Sequence, residues 1–247
     1  MSRAIIEKLI QNNAVNQAIN VFGEYLTEAR RQRIESILPY RMSSVHVAVE
    51  SPSDPHNAAA IVRSCEALGA MSIHAISPED KSLHAKGTTQ GAFYWVNTYH
   101  HQTSQQFFDY LRDKPSPHDY EMNRDNIIIA GACIDGEISL EALPVDRPIC
   151  LLFGNEKRGL SAQARQQCDV CYHIPMYGVS ESLNLSVSAA ISLYSILGRK
   201  RQHLQQNGDC SDRQKDRLRL QYYIHSLDDR LVKNLLKNIL DNNKLGE

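Results

Sequence analysis

The sequence predicts an α/β domain with a mainly parallel sheet and helices on both faces. From Val45 onward, short β-branched segments alternate with helical segments, which is the order that produces parallel strands joined by helices. A long uncharged segment at 183–198 has apolar side chains on one helical face, so we expect it to be buried against the sheet or another subunit. The chain has 247 residues, 42% of them apolar and 22% charged. This composition excludes disordered, collagen-like and coiled-coil proteins.

The N-terminal segment is predicted to be helical over residues 1–38. Ala14 and Ala18 recur at helical spacing, and residues 27–34 continue the segment with strongly basic character. Pro39 ends it, because the residue before a proline disfavours helical geometry.

A strand followed by a helix comes next. Residues 45–49 alternate like a strand, and Asp54 and Pro55 suit the cap and the first position of a helix. Gly69 stands where the left-handed residue at a helix end is needed. The predicted helix between Asp54 and Gly69 carries an apolar stripe of Ala58, Ile61, Cys65 and Leu68.

The remaining elements complete the alternation. Strands are predicted at 73–76, 94–99, 127–133, 149–153 and 172–174, with helices at 103–113 and 161–168. From Arg199 a polar linker through Asp209 leads to two amphipathic helices, at 211–224 and 227–240. We therefore divide the chain into an N-terminal extension (1–43), an α/β domain (44–198) and a C-terminal extension (199–247).

Charge is distributed unevenly among these three parts. Their net charges are +2, −7 and +4, which together give the −1 of the whole chain. Basic ends on an acidic centre indicate that the ends bind a polyanion, although ordinary solvated helices would give the same counts.

Several protein classes are excluded by what the sequence lacks. No stretch of eighteen apolar residues and no apolar leader is present, so we expect a cytoplasmic protein. Six scattered cysteines indicate reduced thiols, since a disulfide framework needs a denser pattern. The single C-x-x-C at 168–171 has no second ligand pair, so no metal is expected.

The loop at 154–161 lies between a strand and a helix, where a phosphate-binding loop would stand. It is not a Walker A loop, because Leu160 occupies the place of the required lysine. No G-x-G-x-x-G is present either, which argues against a dinucleotide-binding enzyme. Taken alone, the loop is a tight turn with Ser161 as the helix N-cap.

Three segments taken together are far more informative than any one of them. They cover residues 57–63, 152–159 and 174–188, and they share order, context and unusual polar residues. In these motifs the chain resembles the SPOUT superfamily of trefoil-knotted methyltransferases, in its 2′-O-ribose branch. The resemblance covers residues 44–198. It implies a C-terminal trefoil knot and a homodimer in which two chains complete each site; ordinary topology rules would not predict a knot.

The resemblance also implies a cofactor and its site. S-adenosylmethionine would be bound mostly by backbone groups of the loops at Gly131, Gly154 and Ile174, together with Leu183. Backbone recognition explains why no charged cofactor fingerprint is visible in the sequence.

Arg63 is the catalytic candidate that the resemblance implies. Helical geometry places it about 200° around the helix from Ile61, away from the apolar stripe. A guanidinium is not deprotonated in proteins, so we assign it to gripping a phosphate and stabilising the developing alkoxide, while phosphate or water accepts the proton. The alternative is a solvated arginine paired with Glu66.

Four polar residues complete the implied site. Asn57 would orient Arg63 or the ribose, although it lies about 240° from Arg63 on an ideal helix. Glu156 would orient the loop or bind Asn57. Ser182 and Asn184 would hold the third-motif loop or the ribose, with helix N-capping as an alternative.

Two short segments indicate which RNA is the substrate. Residues 28–35 and 55–57 are similar to family members that methylate a D-loop guanosine in tRNA, whereas Ser53, Asp54 and Tyr94 depart from them. Candidate RNA contacts are Arg30, Arg31, Arg33, Arg199, Lys200 and Arg201. Ribosomal RNA, another tRNA position, or a non-catalytic RNA-binding module stay open as alternatives.

Overall fold

The computed structural model describes residues 2–79, 91–113 and 124–244. The chain divides into two compact units, a helical unit formed up to Arg41 and from Cys210 onward, and a sheet unit formed by Met42–Asp209. The predicted boundary after residue 198 falls inside a helix, and the residues from there to Asp209 are in the sheet unit.

The helices and strands follow one another along the chain. They are α1 (Ser2–Gln11), α2 (Val15–Glu24), α3 (Glu28–Ile37), β1 (Met42–Glu50), α4 (Pro55–Leu68), β2 (Ala70–Ile76), β3 (Asn97–His101), α5 (Ser104–Arg112), β4 (Ile128–Ala132), β5 (Ile138–Ser139), β6 (Ile149–Phe153), α6 (Ala162–Gln167), β7 (Val170–His173), α7 (Leu185–Leu204), α8 (Asp212–His225) and α9 (Asp229–Lys244).

The sheet is parallel throughout the described residues. Its strand order is β3-β2-β1-β6-β4-β7-β5, so β6 lies at its centre between β1 and β4. Val47 of β1 pairs with Ile73 of β2 on one side and with Leu151 of β6 on the other. This confirms the predicted α/β fold with a mainly parallel sheet.

Helices cover both faces of the sheet, also as predicted. Helices α4 and α7 pack together on one face, where Val47, Ile61 and Leu193 are fully buried. On the other face, with α5 and α6, Phe107 and Leu152 are fully buried. Because both faces are covered, every residue of β1 is buried.

Local sequence signals explain where α4 begins and ends. The Asp54 side chain accepts a hydrogen bond from the backbone N–H of His56 at 2.8 Å, and Pro55 occupies the first position. Gly69 ends the helix with φ of 95°, which glycine adopts without the penalty of a Cβ. Both ends lie where the sequence predicted them.

Two predictions of secondary structure are wrong, and one strand was not predicted. The strand predicted at 94–99 begins only at Asn97, because a short 3₁₀ turn occupies Ala92–Trp95. Strand β5 has two residues, too few for a periodic pattern to show. The linker predicted from Arg199 is helical, since α7 continues until Gln205 adopts a left-handed φ of 53°.

The helical unit contains α1, α2, α3, α8 and α9. Its buried side chains include Leu9, Phe22, Ile34, Leu220 and Tyr222, each at most 1% exposed. Helices α8 and α9 confirm the two predicted C-terminal helices. Among the described residues, no helix combines the length and the apolarity that crossing a membrane requires.

Candidate active site

A cavity of about 640 Å³ opens beside the carboxyl ends of β4, β6 and β7. This is the edge where ligands bind in open parallel sheets. Its walls come from the loop after β4, the loop after β6 and the segment leading into α7. Seven of the predicted site residues line it: Asn57, Gly154, Glu156, Ile174, Ser182, Leu183 and Asn184.

A chain of hydrogen bonds joins one residue from each of the three motifs. The side-chain amide of Asn184 donates to Oδ1 of Asn57 at 3.0 Å, and the amide of Asn57 donates to Oε1 of Glu156 at 3.2 Å. Asn57 is 9% exposed, so these contacts satisfy a largely buried amide. Segments far apart in sequence are thereby held together at one wall of the cavity.

Glu156 is the acceptor at the end of this chain. Its carboxylate also accepts from the backbone N–H (2.9 Å) and hydroxyl (2.5 Å) of Ser53 and from the backbone N–H of Asp54 (3.1 Å). Burial by itself raises the pKa of Glu156, but hydrogen bonds from Ser53, its own backbone N–H and Asn57 lower the pKa to about 2. Such a weak base is suited to orienting its neighbours rather than to taking a proton.

The loop after β6 forms a compact backbone cradle. Asn155 and Gly159 exchange two backbone hydrogen bonds, of 2.9 and 2.8 Å, and Gly159 has φ of 67°. A Cβ at Gly154 would lie 2.1 Å from the carbonyl carbon of Gly159, so only glycine fits there.

This cradle and cavity fit the predicted cofactor. A volume of about 640 Å³ lies within the range of ligand sites, and the Gly154 turn exposes backbone rather than side chain. Ile174, Met176 and Leu183 supply apolar wall for an adenosine-sized group.

Asn184 caps α7 and also contacts the first motif. Its Oδ1 accepts from the backbone N–H of Ser186 at 2.8 Å and so caps α7, while its amide reaches Asn57. Ser182 lines the cavity nearby and is exposed.

Gly131 does not line the cavity, in contrast to the prediction. It lies within β4, and its following neighbours Ala132 and Cys133 face the cavity instead. A Cβ at Gly131 would come within 2.9 Å of Cys168 Sγ and Leu160 Cδ1. The glycine is therefore needed for packing against these two side chains.

Arg63 lies outside the cavity of its own chain. Its side chain is exposed on α4, on the side of the helix away from the buried stripe. Within residues 2–79, 91–113 and 124–244, no hydrogen bond or ion pair joins it to Glu66, so the alternative pairing is not seen.

The basic run at the end of α7, predicted to contact RNA, makes hydrogen bonds within the sheet unit. Arg199 donates to the carbonyls of Leu140, Glu141 and Leu143 at 2.7–2.9 Å. Lys200 is 2% exposed and donates to two further backbone carbonyls, and Arg201 donates to two more. Their cationic groups hold loops in this structure, and their contact with RNA stays a prediction.

The basic residues of α3 are arranged differently. Arg33 is exposed, and Arg31 is paired with Glu28 one turn earlier on the surface. The guanidinium of Arg30 donates to the Ser226 hydroxyl at 3.0 Å. These three side chains stay accessible candidates for phosphate contact.

Several cavity residues were not found from the sequence. Lys157, Arg158, Cys133, Asp135 and Arg165 also line the cavity. Lys157 and Arg158 lie inside the second motif and could have been found there, whereas nothing local marks the other three. Asp135 and Arg165 form an exposed ion pair of 2.8 Å at the rim. Burial raises the pKa of the Cys133 thiol to about 12, so it is neutral.

Comparison with known proteins identifies the family. The model of the SpoU rRNA Methylase family matches residues 44–194. A tRNA (guanosine(18)-2'-O)-methyltransferase of Borreliella burgdorferi is 30% identical over 209 residues, 85% of this chain and 91% of the relative. The solved structure of a TrmH/SpoU tRNA modifying enzyme from A. aeolicus shares the fold, with a TM-score of 0.69 at 24% identity over 82% of this chain and 98% of that one.

A second solved structure concerns the cofactor. The SpoU methyltransferase AviRb from Streptomyces viridochromogenes, in complex with the cofactor AdoMet, has a TM-score of 0.55 at 25% identity over 69% of this chain and 64% of that one. The family match covers all three motifs and every residue of the hydrogen-bonded chain Asn57–Glu156–Asn184. The chain belongs to the SpoU rRNA Methylase family, the SpoU methyltransferases that use S-adenosylmethionine.

Proposed function

We propose that this protein transfers a methyl group from S-adenosylmethionine to the ribose 2′-hydroxyl of the D-loop guanosine of tRNA that the sequence motifs indicate. The Borreliella relative is named for guanosine 18 of tRNA. The observation that carries the proposal is the hydrogen-bonded chain Asn57–Glu156–Asn184 at the wall of a nucleoside-sized cavity. A protein that only binds RNA would have no need for this arrangement. The cytoplasm is the compartment we propose.

The chain's own residues would bind and orient the reactants. Gly154, Ile174 and Leu183 would hold the cofactor, which supplies a methyl group on a cationic sulfonium. Asn57 and Asn184, kept in place by the ionised Glu156, would orient the ribose for in-line attack.

Arg63 is proposed to act at the cavity of a second copy of the chain. Its exposed position on α4 keeps it out of its own cavity, so its role requires a homodimer. There its guanidinium would grip a phosphate and stabilise the alkoxide. A second, exposed apolar stripe on α7 supports pairing of two chains. It consists of Val187, Ile191 and Tyr194, which lie at helical spacing and are 44%, 39% and 74% exposed. The trefoil knot stays a prediction.

The helical unit is proposed to contact the RNA backbone through Arg30, Arg31 and Arg33. Its sequence has fourteen Lys and Arg against ten Asp and Glu, whereas the sheet unit has thirteen against eighteen. An excess of positive charge favours binding to phosphates.

The test is methyl transfer from labelled S-adenosylmethionine to unmodified tRNA and, separately, to ribosomal RNA, followed by nuclease mapping of the labelled ribose. Label at the D-loop guanosine is expected. Label in ribosomal RNA or elsewhere in tRNA would keep the reaction and change the substrate. No label on any RNA, despite measurable cofactor binding, would favour a non-catalytic RNA-binding module.

A further inference from the structure

Glu50 is a buried carboxylate to which neither the motifs nor the proposed chemistry assigns a role. It is the last residue of β1 and is 6% exposed. Its Oε2 accepts from the backbone N–H of Ser161 at 2.8 Å, and its Oε1 accepts from the hydroxyls of Ser161 (2.8 Å) and Ser104 (2.6 Å). Three donors thus converge on one buried carboxylate.

Ser161 stands at the far end of the loop that forms one wall of the cavity. Every residue from Phe153 to Leu160 lines that cavity, and Ser161 begins α6 as its N-cap. A contact that fixes Ser161 therefore fixes the end of the cavity wall at Gly159 and Leu160.

The opposite end of the loop is attached to the same short segment of chain. The Asn155 amide donates to the Ser51 carbonyl at 2.7 Å, and Glu156 accepts from Ser53. Ser51 has φ of 49°, a left-handed conformation that is uncommon for residues other than glycine. Residues 50–53 thus hold the cavity loop at both ends, with Glu50 at the end away from Glu156.

Capping of α6 alone does not account for Glu50. The Ser161 hydroxyl already accepts from the backbone N–H of Ala164 at 3.1 Å, which is the ordinary N-cap contact. Burying a carboxylate costs free energy that a neutral side chain would avoid, so the extra attachment to β1 needs another reason.

We propose that Glu50 is a positioning residue that holds the loop at 154–161 in the conformation that binds S-adenosylmethionine. The inference deepens the proposed function and rests on it for the identity of the ligand. Holding the loop before binding avoids the cost of ordering it when the ligand enters. Glu50 therefore acts through Ser161 on cofactor affinity, and it has no direct part in the transfer step.

The first experiment compares Glu50→Gln with Ser104→Ala in the full-length chain. Glu50→Gln weakens the attachment of Ser161, whereas Ser104→Ala removes a donor to the same carboxylate on the side of α5, away from the loop. The probe is S-adenosylhomocysteine, with its Kd measured by calorimetry, and amide hydrogen exchange is followed for residues 154–161. We expect Kd and the cofactor KM to rise about tenfold in Glu50→Gln, with faster exchange in the loop and kcat within about threefold.

Ser104→Ala is expected to keep Kd and loop exchange within about twofold of wild type. Equal changes in both variants, or an unchanged Kd and loop exchange in Glu50→Gln, would overturn the proposal and leave Glu50 a role in stability alone. Since S-adenosylhomocysteine binding needs no RNA, wild-type protein that binds this probe and methylates nothing would contradict the proposed function without affecting this test.

A second pair of variants tests the proposal if the Glu50→Gln protein does not fold. Ser161→Ala removes the hydroxyl donor to Glu50 together with a helix cap, and Ser211→Ala removes the corresponding cap of α8. If only Ser161→Ala binds S-adenosylhomocysteine more weakly, the positioning role of Glu50 is supported. If Ser161→Ala and Ser211→Ala bind it with equal affinity, that role is contradicted.

Discussion

The basic residues at the end of α7 in the sheet unit and those of α3 in the helical unit are used differently. In the sheet unit, Lys200 and Arg199 hold backbone carbonyls, and Glu50 and Glu156 hold backbone N–H groups. In the helical unit, a basic residue such as Arg33 faces solvent. These charged groups of the sheet unit therefore fix loops, while an exposed side chain of α3 such as Arg33 is accessible to a polyanion. Arg63, like Lys157 and Arg158 of the cavity loop, departs from this use in the sheet unit, because its side chain is exposed.

The largest effect is expected from Arg63, if its exposed charge serves chemistry. Arg63→Ala should lower kcat by about 10²–10³-fold, the usual loss when a group that stabilises developing charge is removed. Single-turnover methyl transfer to tRNA, with RNA affinity measured in parallel, checks this. Arg63→Lys with a near-native rate would count against bidentate phosphate binding.

Lys200 tests whether a basic residue of the sheet unit is structural. Lys200→Met keeps the apolar stem but leaves the carbonyls of Val145 and Arg147 without this donor. We expect the free energy of unfolding to fall by about 2–4 kcal/mol in urea titrations, since each unpaired buried polar group costs about 1–3 kcal/mol. RNA affinity of the folded protein should stay unchanged. A stable variant with weakened RNA binding would restore Lys200 as an RNA contact.

Acid should weaken the sheet unit through its buried histidines. His74 Nδ1 lies 3.0 Å from His101 Nε2. Burial, with His46, His101 and Arg124 nearby, lowers the pKa of His74 well below its ordinary value, and burial and His100 lower the pKa of His101 to about 4. Because the unfolded chain takes up these protons first, stability is lost as pH falls from about 6.5 towards 4.

For His101 this loss amounts to at most about 3 kcal/mol below pH 4. Urea unfolding at pH 7, 6, 5 and 4 measures it. In His101→Gln, the free energy of unfolding should fall less steeply as the pH is lowered. An identical pH dependence in the variant would show that other groups control acid sensitivity.

The smallest effect on stability is expected in the helical unit, where the change should appear in RNA binding. Replacing Arg30, Arg31 and Arg33 by Gln should weaken tRNA binding about tenfold at low salt and make affinity less salt-dependent. The free energy of unfolding should change by less than about 1 kcal/mol, since exposed pairs contribute little. Equilibrium binding at several salt concentrations checks this. If the salt dependence of tRNA affinity is unchanged, the RNA backbone does not contact these three arginines.

Much of the fold follows from local pattern. The cap at Asp54, the left-handed Gly69 and the apolar face of α7 are each contained in a few adjacent residues, and the helices that they predict were found. The strand at 94–99 was misplaced because the aromatic run that suggested it forms a 3₁₀ turn. Of the predicted site residues, those in the three motifs meet at the cavity, apart from Arg63.

What the sequence by itself determined is the order of elements, the α/β class and the motif residues, because caps, periodicity and motifs depend on neighbours in the chain. Only the tertiary structure decided the uses of Lys200 and Gly131 and the convergence on Glu50. Lys200 meets carbonyls more than fifty residues away, and Glu50 meets Ser161 across 111 residues. A buried polar group bonds to whichever partner the packed fold brings close to it. Such a partner can be far away in the sequence, so it cannot be predicted from residue spacing.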